Sequence, residues 1–410
     1  MADYLAHVAL GESLISVGQL RFTQSGVRQY SRFDYDQSWL KDPTAFAIAP
    51  DLPIESGPFH ASAQLSENRD ALASVFADAS PDSWGRRLLE RSYGSGLCEF
   101  EYLTLSDDQC RQGALRFLDD EGKIIKGAAP QAIPRLIDLT TLTAISRAYE
   151  QGQEISSQDM QALAGAAGSG GARPKANVID GTDLWLAKFT SAYDQSPIER
   201  VEVATLDLAK ACGIRTPEAR LVLTDTQFPV ALLKRFDRRG NARIPYISAR
   251  TALNKTGNEL GSYTEIVDFI SAYSADPAED CRELFKRLIF TILVSNKDDH
   301  LKNHGFLYVG AGRWRLSPMF DVNPAPDRNP HLETAIMQGG PFTRSIALAL
   351  EASAFFAINE VDARVIIKTV AQKISANWRI ALKKVGVSGA AAKAYEAAFV
   401  NDEADIALGV

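Results

Sequence analysis

The sequence predicts an α+β protein with a β-rich N-terminal part and a mostly helical C-terminal part, and three patterns support this prediction. Residues Gln19 to Thr23 alternate polar and apolar side chains, which is the period of a half-buried strand. Two further runs are joined by Asp180-Gly181, a pair typical of hairpin turns because both turn residues need a positive φ angle. From about Ser262 to the end the pattern is helical, apart from one hairpin between Gly305 and Ser317.

Length and composition are those of a globular protein that can form two or three domains. The chain has 410 residues, 46% of them apolar and 23% charged. Its net charge of −7 argues against a bulk nucleic-acid-binding protein or a polybasic membrane adaptor. The four cysteines lack metal-clip or redox spacing, the N-terminus lacks the basic region of a signal peptide, and no apolar run reaches roughly 18 residues. We therefore expect a soluble, cytoplasmic protein with no membrane partner.

Residues 1–130 are predicted to form the β-rich domain. After the first strand come a turn at Gln24-Ser25-Gly26 and an aromatic stretch from Tyr30 to Trp39. A helical segment is predicted from about Ser66 to Arg91. The glycine, alanines and two prolines between Lys126 and Pro134 indicate a linker, and the first domain boundary is placed there.

Residues 131–237 are predicted to mix helices and strands, and residues 238–410 to form the helical third domain. The run Ser196-Pro197-Ile198-Glu199 has the form of a capping box with proline at the first helical position, and this helix is expected to end at Gly213. The other predicted elements are a helix at Leu136 to Glu150, strands at Asn177 to Ile179 and Leu184 to Phe189, and a hairpin of Leu221 to Leu223 with Val230 to Leu233.

Two features of the middle part could hold phosphate groups. Glycines between Gly165 and Lys175 would allow backbone N–H groups to approach phosphates closely, although a plain flexible loop is the alternative. Lys188 lies in the apolar run that follows, where protein kinases place the lysine that holds the α- and β-phosphates. Its alternative is a lysine whose head reaches solvent from a strand edge. Glu202 on the next helix is its expected ionic partner, with Glu199 as the rival.

Two polar segments of the C-terminal part have the spacing of a phosphotransfer site. Asp298 and Asn303 fit the kinase pattern D-x-x-x-x-N, in which the carboxylate lies at the acceptor hydroxyl and the amide oxygen binds Mg²⁺. Lys302 could neutralise charge on the transferred phosphoryl group. Asp321 follows an apolar run, where kinases keep a second metal-binding carboxylate. Each segment alone could be a solvated polar turn, but their order along the chain is that of a kinase site.

This ordered set resembles the HipA family of toxin serine/threonine kinases from bacterial toxin–antitoxin systems, over nearly the whole chain. The similar segments are the N-terminal signature Pro81-Asp-Ser-Trp-Gly-Arg-Arg-Leu-Leu89, the phosphate loop Gly170-Gly-Ala-Arg-Pro-Lys175, the hinge Leu233-Lys-Arg-Phe-Asp-Arg-Arg239, the catalytic loop Asp298-Asp-His-Leu-Lys-Asn303 and the metal aspartate in Phe320-Asp321. The resemblance implies a two-lobed kinase-like fold with an added β-rich N-terminal subdomain and an all-helical C-terminal lobe.

The resemblance also implies ATP and Mg²⁺ as cofactors and a protein hydroxyl as acceptor. Asp298 and Lys302 would be catalytic, and Asn303 and Asp321 would bind the metal. The residues expected to contact nucleotide, in addition to the two metal ligands, are Gly170, Gly171, Ala172, Arg173, Lys175, Lys188, Glu202, Lys234, Arg235, Phe236 and His300. Members of the family autophosphorylate a serine in the phosphate loop and thereby switch themselves off. The expected position here is Gly168, and Ser169 is the nearest hydroxyl, which makes it the candidate regulatory phosphosite.

The partners implied by the resemblance are a protein substrate, for example an aminoacyl-tRNA synthetase whose phosphorylation arrests growth, and a HipB-like helix-turn-helix antitoxin bound to operator DNA. The segment 363–395 carries seven cations and no acidic residue, which predicts either a solvated helical face or auxiliary contact with operator phosphates. Two other functions remain open: a small-molecule or lipid kinase on the same fold, and a non-catalytic co-repressor.

Overall fold

A computed structural model describes residues 1–64, 70–125, 133–168, 171–327 and 329–410. The chain divides into two compact units, which are described separately. Unit 1 consists of Met1–Ala192, Lys234–Glu259 and Gly310–Gly312, and unit 2 of Tyr193–Leu233, Leu260–Val309 and Arg313–Val410. The domain boundaries expected at 130 and 237 stay predictions, and residue 130 lies outside the described residues.

The elements confirm the α+β class, with strands concentrated in the N-terminal part and helices in the C-terminal part. The strands are β1 (Ala2–Leu10), β2 (Ile15–Ser25), β3 (Arg28–Tyr35), β4 (Phe59–Gln64), β5 (Leu115–Leu118), β6 (Lys175–Asp180), β7 (Asp183–Phe189), β8 (Ala219–Val222), β9 (Val230–Lys234), β10 (Arg238–Arg239), β11 (Ala242–Arg243), β12 (Tyr246–Ser248), β13 (Gly305–Gly310) and β14 (Arg313–Leu316). Among the described residues from Ser262 to the end, the elements are helical apart from β13 and β14, so this part is mostly helical, as the pattern predicted, and not all-helical.

The helices follow in the same chain order. They are α1 (Gln37–Lys41), α2 (Ser74–Ala79), α3 (Ser83–Tyr93), α4 (Glu99–Leu105), α5 (Leu139–Glu150), α6 (Ser157–Gly165), α7 (Ile198–Ala211), α8 (Ala249–Ala252), α9 (Tyr263–Tyr273), α10 (Pro277–Leu293), α11 (Ile346–Ala352), α12 (Glu360–Lys384), α13 (Gly389–Ala394), α14 (Glu396–Phe399) and α15 (Asp402–Gly409). Within the described ranges, no helix is long and apolar enough to cross a membrane.

Unit 1 begins with an antiparallel sheet in the order β4-β3-β2-β1-β5. Exposed and buried residues alternate along β3, so that Phe33 and Tyr35 are buried in the core. The ring of Phe33 packs against that of Phe76 from α2, with 5.3 Å between the ring centroids. The period-2 pattern that predicted a strand at Gln19 to Thr23 therefore lies inside the longer β2.

The helical segment expected from about Ser66 to Arg91 contains two helices, α2 and α3, with a break between them. Pro81 causes this break. A residue before proline is driven to extended backbone angles, and Ser80 has a ψ of 153°. Asp82, also extended, precedes the first turn of α3. Residues 65–69 lie outside the described residues.

A compact apolar cluster in unit 1 lies beside the glycine-rich segment. It joins α3 to α6 and has Trp84 near its centre, with only 1% of that residue exposed. The strands β6 and β7 form the expected hairpin and place Lys175 opposite Lys188. The other buried members of the cluster are Leu88, Met160, Leu163, Ala164 and Ala167.

In unit 2, the capping box expected at the start of α7 is not formed. The N-cap is Pro197, which has no side-chain oxygen to accept a hydrogen bond, and Ile198 donates its N–H to the backbone oxygen of Ser196. Glu199 and its rival Glu202 are both buried. The end of α7 is as expected, because Gly213 follows it with a φ of +78°.

The core of unit 2 is built on α10, which packs against α9 and α12. The side chain of Asp276 caps α10 by accepting the N–H of Glu279 at 3.2 Å, and Pro277 takes the first helical position. Apolar residues at helical spacing along α10 are buried, among them Leu284, Phe285, Leu288, Ile289 and Ile292. This buried helix leads directly into the polar segment that begins at Ser295.

Candidate functional site

The end of α10 determines where the polar loop from Asn296 to Asn303 lies. Ser295 has a φ of 56°, a left-handed conformation that is uncommon for a non-glycine residue and that ends the helix. Arg344 donates hydrogen bonds to the hydroxyl of Ser295 and, at 3.3 Å, to the backbone oxygen of Ile292. The loop therefore leaves a helix terminus that a buried arginine holds in place.

Within this loop the Asn303 amide is buried and hydrogen-bonded to the backbone, whereas the Asp298 carboxylate is exposed. Asn303 Nδ2 donates to the backbone oxygen of Asp298 at 2.7 Å, and the Asn303 N–H donates to the backbone oxygen of His300 at 2.8 Å. The Asp298 side chain is 73% exposed, whereas Asn303 is 8% exposed. His300 Nε2 lies 3.7 Å from Asp298 Oδ1. The two residues of the D-x-x-x-x-N pattern are thus brought into direct contact.

The adjacent Asp299 has the opposite environment and holds the loop to the core. It is 2% exposed, accepts a hydrogen bond from the Tyr263 hydroxyl, and lies 3.0 Å from Nε2 of His304. Thr334 donates its hydroxyl proton to the backbone oxygen of Asp299. Sequence reasoning missed these supports, because only the spacing of Asp299 to Asn303 was considered and Tyr263 lies on another helix.

A second loop, with Asp321 in it, is hydrogen-bonded to the first. Asn296 and Pro324 form an isolated antiparallel bridge, the Asn323 N–H donates to Asn296 Oδ1 at 3.3 Å, and the Ala325 N–H donates to the backbone oxygen of Ser295 at 3.1 Å. Asp321 itself has a φ of 56°. A left-handed non-glycine residue persists only where its surroundings impose it, which is common at functional sites. Sequence reasoning found Asp321 but not Asn296 or Asn323.

The carboxylates of the two loops influence one another. Partial loss of hydration raises the pKa of the Asp298 carboxyl, and the positive charge of His300 lowers it. The negative charges of Asp321 and Glu333 then raise the pKa of Asp298 further. Because most of the Asp298 side chain meets water, hydration limits the size of this increase. Unit 2 therefore places Asp298, Asn303 and Asp321 in one polar region with an excess of negative charge.

In unit 1, helix α3 holds the described part of the glycine-rich loop. Asp82 accepts the N–H of Gly171 at 2.8 Å, and Arg87 donates to the backbone oxygen of Ala172 at 3.0 Å. The indole N–H of Trp84 donates to the backbone oxygen of Lys175 at 3.0 Å. The signature segment and the loop predicted to hold phosphate are therefore in direct contact, which their separation in sequence did not indicate. Ser169 and Gly170 lie outside the described residues.

Two buried lysines follow this loop. Lys175 and Lys188 are paired in the β6–β7 register and are 3% and 7% exposed. A Cβ added to Gly171, whose φ is +87°, would lie 3.3 Å from Lys175 Nζ, so this ammonium group is close to the loop backbone. The burial of Lys188 does not fit a lysine whose head reaches solvent from a strand edge. Its predicted partner Glu202 belongs to unit 2, and the Lys188–Glu202 pair stays a prediction.

The remaining predicted residues have varied surroundings. Lys234 Nζ donates to Asp183 Oδ2 at 2.6 Å, and the Phe236 ring lies 6.2 Å from the Tyr246 ring. The guanidinium group of Arg235 is hydrogen-bonded to several residues of unit 1, and the backbone N–H of Arg235 donates to the backbone oxygen of Leu184. The half-buried side chains are those of Arg173, His300 and Lys302, the last in a 3₁₀ turn, Leu301–Asn303.

Comparisons with known proteins show what this chain is similar to. A family profile described as the HipA-like C-terminal domain matches residues 167–378, and one described as the HipA N-terminal domain matches residues 6–116. A curated protein of Sinorhizobium fredii, "Putative kinase Y4mE", is 26% identical over 332 residues, covering 74% of this chain and 75% of its own length. A similarly named kinase of Haemophilus influenzae is 28% identical over 144 residues, and this chain spans 42% of its length.

Among solved structures, the chain is similar to HipA of Shewanella oneidensis MR-1, determined in complex with HipB and its operator DNA. The TM-score is 0.70 and 99% of each chain is covered, at 15% sequence identity. At this identity the likeness shows a shared fold.

Proposed function

Because family profiles match both its N-terminal part and more than half of its length, the chain belongs to the HipA family, and we propose that it is an ATP- and Mg²⁺-dependent serine/threonine protein kinase. The observation that carries this proposal is the pair of linked loops in unit 2. The Asn303 amide contacts the backbone of Asp298, and the Asn296–Pro324 bridge links that loop to the segment containing Asp321. A base and two metal ligands are the groups that phosphoryl transfer needs there.

The donor set fits a divalent cation. Asp321 offers a carboxylate and Asn303 an amide oxygen, which are hard oxygen ligands of the kind that Mg²⁺ prefers. The charge of Asp321 raises the pKa of Asp298, so this region has negative charge that a cation would offset. When bound, Mg²⁺ neutralises charge on the nucleotide phosphates. Asp298 itself, exposed to solvent, orients the acceptor hydroxyl and accepts its proton.

The residues of unit 1 supply the rest of the nucleotide contacts in this proposal. The backbone of the glycine-rich loop from Gly170 onward approaches the phosphates, although the Gly171 N–H itself is already donated to Asp82. Lys188 provides positive charge for the phosphates. Lys234 and Phe236 hold adenine. The other proposed contacts are the nearby Ala172, Arg173 and Lys175 in unit 1, and in unit 2 Glu202 supporting Lys188, His300 at the nucleotide or loop backbone, and Lys302 at the transferred phosphoryl group.

The biological part of the proposal is that the chain is the toxin of a toxin–antitoxin pair. Its substrate would be a translation factor such as an aminoacyl-tRNA synthetase, and its partner a helix-turn-helix antitoxin that binds operator DNA. Support comes from the Shewanella HipA, which shares the fold and whose structure contains HipB and operator DNA.

The decisive experiment compares wild type with Asp298→Asn in ATP turnover and in the phosphoproteome of expressing cells. We expect Asp298→Asn to abolish phosphotransfer without lowering the melting temperature, because the raised pKa of Asp298 means that its ionised form is disfavoured in the folded protein. Asp268→Asn, at an exposed position of α9, is the matched control and should keep full activity.

Three outcomes would contradict the proposal. Full activity of Asp298→Asn together with Asp321→Asn would refute the site. Phosphorylation of purified lipid headgroups or small molecules, with no protein labelled, would favour the small-molecule or lipid kinase. Absence of ATP turnover in the wild type, with intact antitoxin binding, would favour the co-repressor.

Autophosphorylation is proposed at Ser169, which has the nearest hydroxyl to the expected position in the phosphate loop. Intact mass after incubation with ATP and Mg²⁺ should show one added phosphate in the wild type and none in Ser169→Ala. Equal phosphate incorporation by the two proteins would show that this serine is not the site.

A further inference from the structure

The guanidinium group of Arg235 is bound by three separate parts of unit 1. Nη1 donates to Asn177 Oδ1 at 2.8 Å and to the backbone oxygen of Cys110 at 3.1 Å. Nε and Nη2 donate to the two carboxylate oxygens of Asp237 at 2.7 and 2.5 Å. Nη2 also donates to the backbone oxygen of Arg111 at 3.4 Å, so all five N–H donors of the guanidinium group are used within unit 1. This corrects the expectation that the side chain contacts the nucleotide.

Asn177 connects Arg235 to the entrance of the glycine-rich loop. Both its backbone N–H and its Nδ2 donate to the backbone oxygen of Ala166, at 2.7 and 3.1 Å. A Cβ at Gly168 would lie 2.5 Å from Asn177 Nδ2, so only glycine fits where the loop passes this amide. The side-chain orientation of Asn177 is set by Arg235, because the guanidinium requires the amide oxygen on its side.

Asp237 connects Arg235 to the segment after the hinge and to a loop of the N-terminal part. It accepts the Gly113 N–H at 2.7 Å and a hydrogen bond from Arg238 at 2.8 Å. Burial alone would raise the pKa of the Asp237 carboxyl, but the charges of Arg235 and Arg238 hold it well below its usual range. Asp237 therefore remains ionised and keeps the fork of Arg235 in a fixed orientation.

We propose that Arg235 is a positioning residue that couples the glycine-rich loop to the hinge. Through Asn177 it fixes the backbone at the loop entrance, and through Asp237 it fixes the hinge, so that one side chain sets the distance between the two segments. The inference rests on the proposed function, in which nucleotide binds to both. Its own content is that nucleotide affinity depends on a residue that does not touch the nucleotide.

Arginine is required for this role because its planar fork reaches several acceptors at once, whereas lysine presents a single point charge. Arg235→Lys keeps the charge beside Asp237 and loses the contact to Asn177. We expect the KM for ATP to rise about tenfold, in line with one lost buried hydrogen bond to a charged group. We expect kcat to change less than threefold, because the contacts of Asp298 are made within unit 2. Arg239→Lys, at the exposed neighbouring position of β10, is the matched control.

A double-mutant cycle with Asn177→Ser tests whether Arg235 acts through Asn177. Mg²⁺-dependent binding of a fluorescent ATP analogue is measured for wild type, both single variants and the double variant, with melting temperatures recorded. If the coupling is real, Arg235→Lys weakens binding about tenfold in the wild-type background and has little further effect in Asn177→Ser. Additive losses in the two backgrounds would overturn the proposal.

The same measurements separate this inference from the proposed function. If the wild type does not bind the analogue, the proposed function fails and the positioning role fails with it. If the wild type binds and Arg235→Lys binds equally well with an unchanged melting temperature, the positioning role alone is refuted. Loss of binding that only parallels a fall in melting temperature in both single variants would likewise refute it, because the arginine would then be merely structural.

Discussion

At the scale of single residues, adjacent acidic side chains have opposite roles. Asp298 lies in solvent next to His300, whereas Asp299 is buried against Tyr263 and His304. The buried carboxylate is paired, as burial of charge requires, and it fixes the loop backbone. The exposed carboxylate is left available for chemistry. Of these two consecutive residues, Asp299 anchors the loop to the core, and Asp298 is the one proposed to act on the acceptor.

The charges around Asp298 predict how it titrates. In metal-free protein its carboxyl should titrate above the ordinary value of about 3.9, because lost hydration and the charges of Asp321 and Glu333 disfavour the ionised form. Glu333→Gln should lower that pKa by removing one of these charges. Addition of Mg²⁺ should also lower the pKa of Asp298, because a cation bound at Asp321 offsets the negative charge of that carboxylate. A carboxyl NMR titration measures the pKa of Asp298 in the metal-free wild type, in Glu333→Gln and in the presence of Mg²⁺. The Asp298 signal is assigned by its absence from the spectrum of Asp298→Asn.

Glu351→Gln, an exposed position on α11, is the control for this titration. A midpoint that moves equally in Glu333→Gln and Glu351→Gln would mean that nonspecific charge, and not the local cluster, controls Asp298. A midpoint unchanged by Mg²⁺ would contradict the metal role of Asp321.

At the scale of elements, α3 supports the glycine-rich loop. Three of its contacts reach loop backbone: Asp82 to Gly171, Arg87 to Ala172 and Trp84 to Lys175. Pro81 makes this possible, because it ends the preceding helical turn and lets α3 start in a new direction. The α3 segment therefore acts on the loop as a scaffold and not only as core.

Substitution of Trp84 should separate packing from hydrogen bonding. Trp84→Ala is expected to lower the free energy of unfolding by about 3 to 5 kcal/mol, because the indole is fully buried in the cluster with α6. Trp84→Phe keeps most of the ring and leaves the backbone oxygen of Lys175 without its donor, which should cost about 1 to 3 kcal/mol. Urea unfolding measures both.

A matched comparison is Trp314→Phe in unit 2, where the buried indole contacts Tyr308 instead of the loop. We expect Trp84→Phe, unlike Trp314→Phe, to weaken binding of the ATP analogue as well as stability. Equal affinity of Trp84→Phe and Trp314→Phe for the ATP analogue would show that the contact from α3 to the glycine-rich loop does not affect nucleotide binding.

At the scale of the whole molecule, charge is distributed unevenly along the chain. The segment 363–395 carries +7 and the remainder −14. In the structure this segment forms most of α12 and all of α13. Three of its cations pair with acids outside the segment, and three further lysines are exposed. The pairs are Arg364 with Glu360, Arg379 with Glu396 and Lys384 with Asp207. The exposed lysines are Lys368, which donates to the backbone oxygen of Val410 at 3.4 Å, Lys383 and Lys393.

The exposed lysines provide the test of the proposed DNA contact. Each phosphate contact adds about 0.9 to the slope of log affinity against log salt. In a complex with the cognate antitoxin and operator DNA, Lys383→Ala with Lys393→Ala should therefore reduce that slope by about 2. The control is Lys41→Ala with Lys210→Ala, two exposed lysines elsewhere. Equal slopes for the two double variants would leave the segment as a solvated helical face.

Local patterns were sufficient for much of the fold and for choosing the residues of the candidate site. The β6–β7 hairpin, the end of α7 just before Gly213 and the strand at Gln19 to Thr23 lie where the sequence predicted them. The hairpin turn is one residue later than expected, because Asp180 pairs with Asp183 as the end of β6 and Gly181 alone of the predicted pair has a positive φ. These features depend on neighbours a few residues away, whose φ preferences and spacing are visible in the sequence. The prediction of Asp298, Asn303 and Asp321 as site residues rests on the same kind of signal, polar residues at fixed distances after apolar runs.

Local patterns were insufficient where a neighbour from a distant part of the chain decides the outcome. Tyr263 and Asp299 are 36 residues apart, and Asn177 and Arg235 are 58 apart. The sequence shows that Arg235 is an arginine within the predicted hinge, but only packing shows that its donors are already used. The sequence by itself determined which chemical groups this protein has and their order, because spacing is local. The tertiary structure decided which of them are exposed to react and which are buried to hold the others, because burial depends on the whole fold.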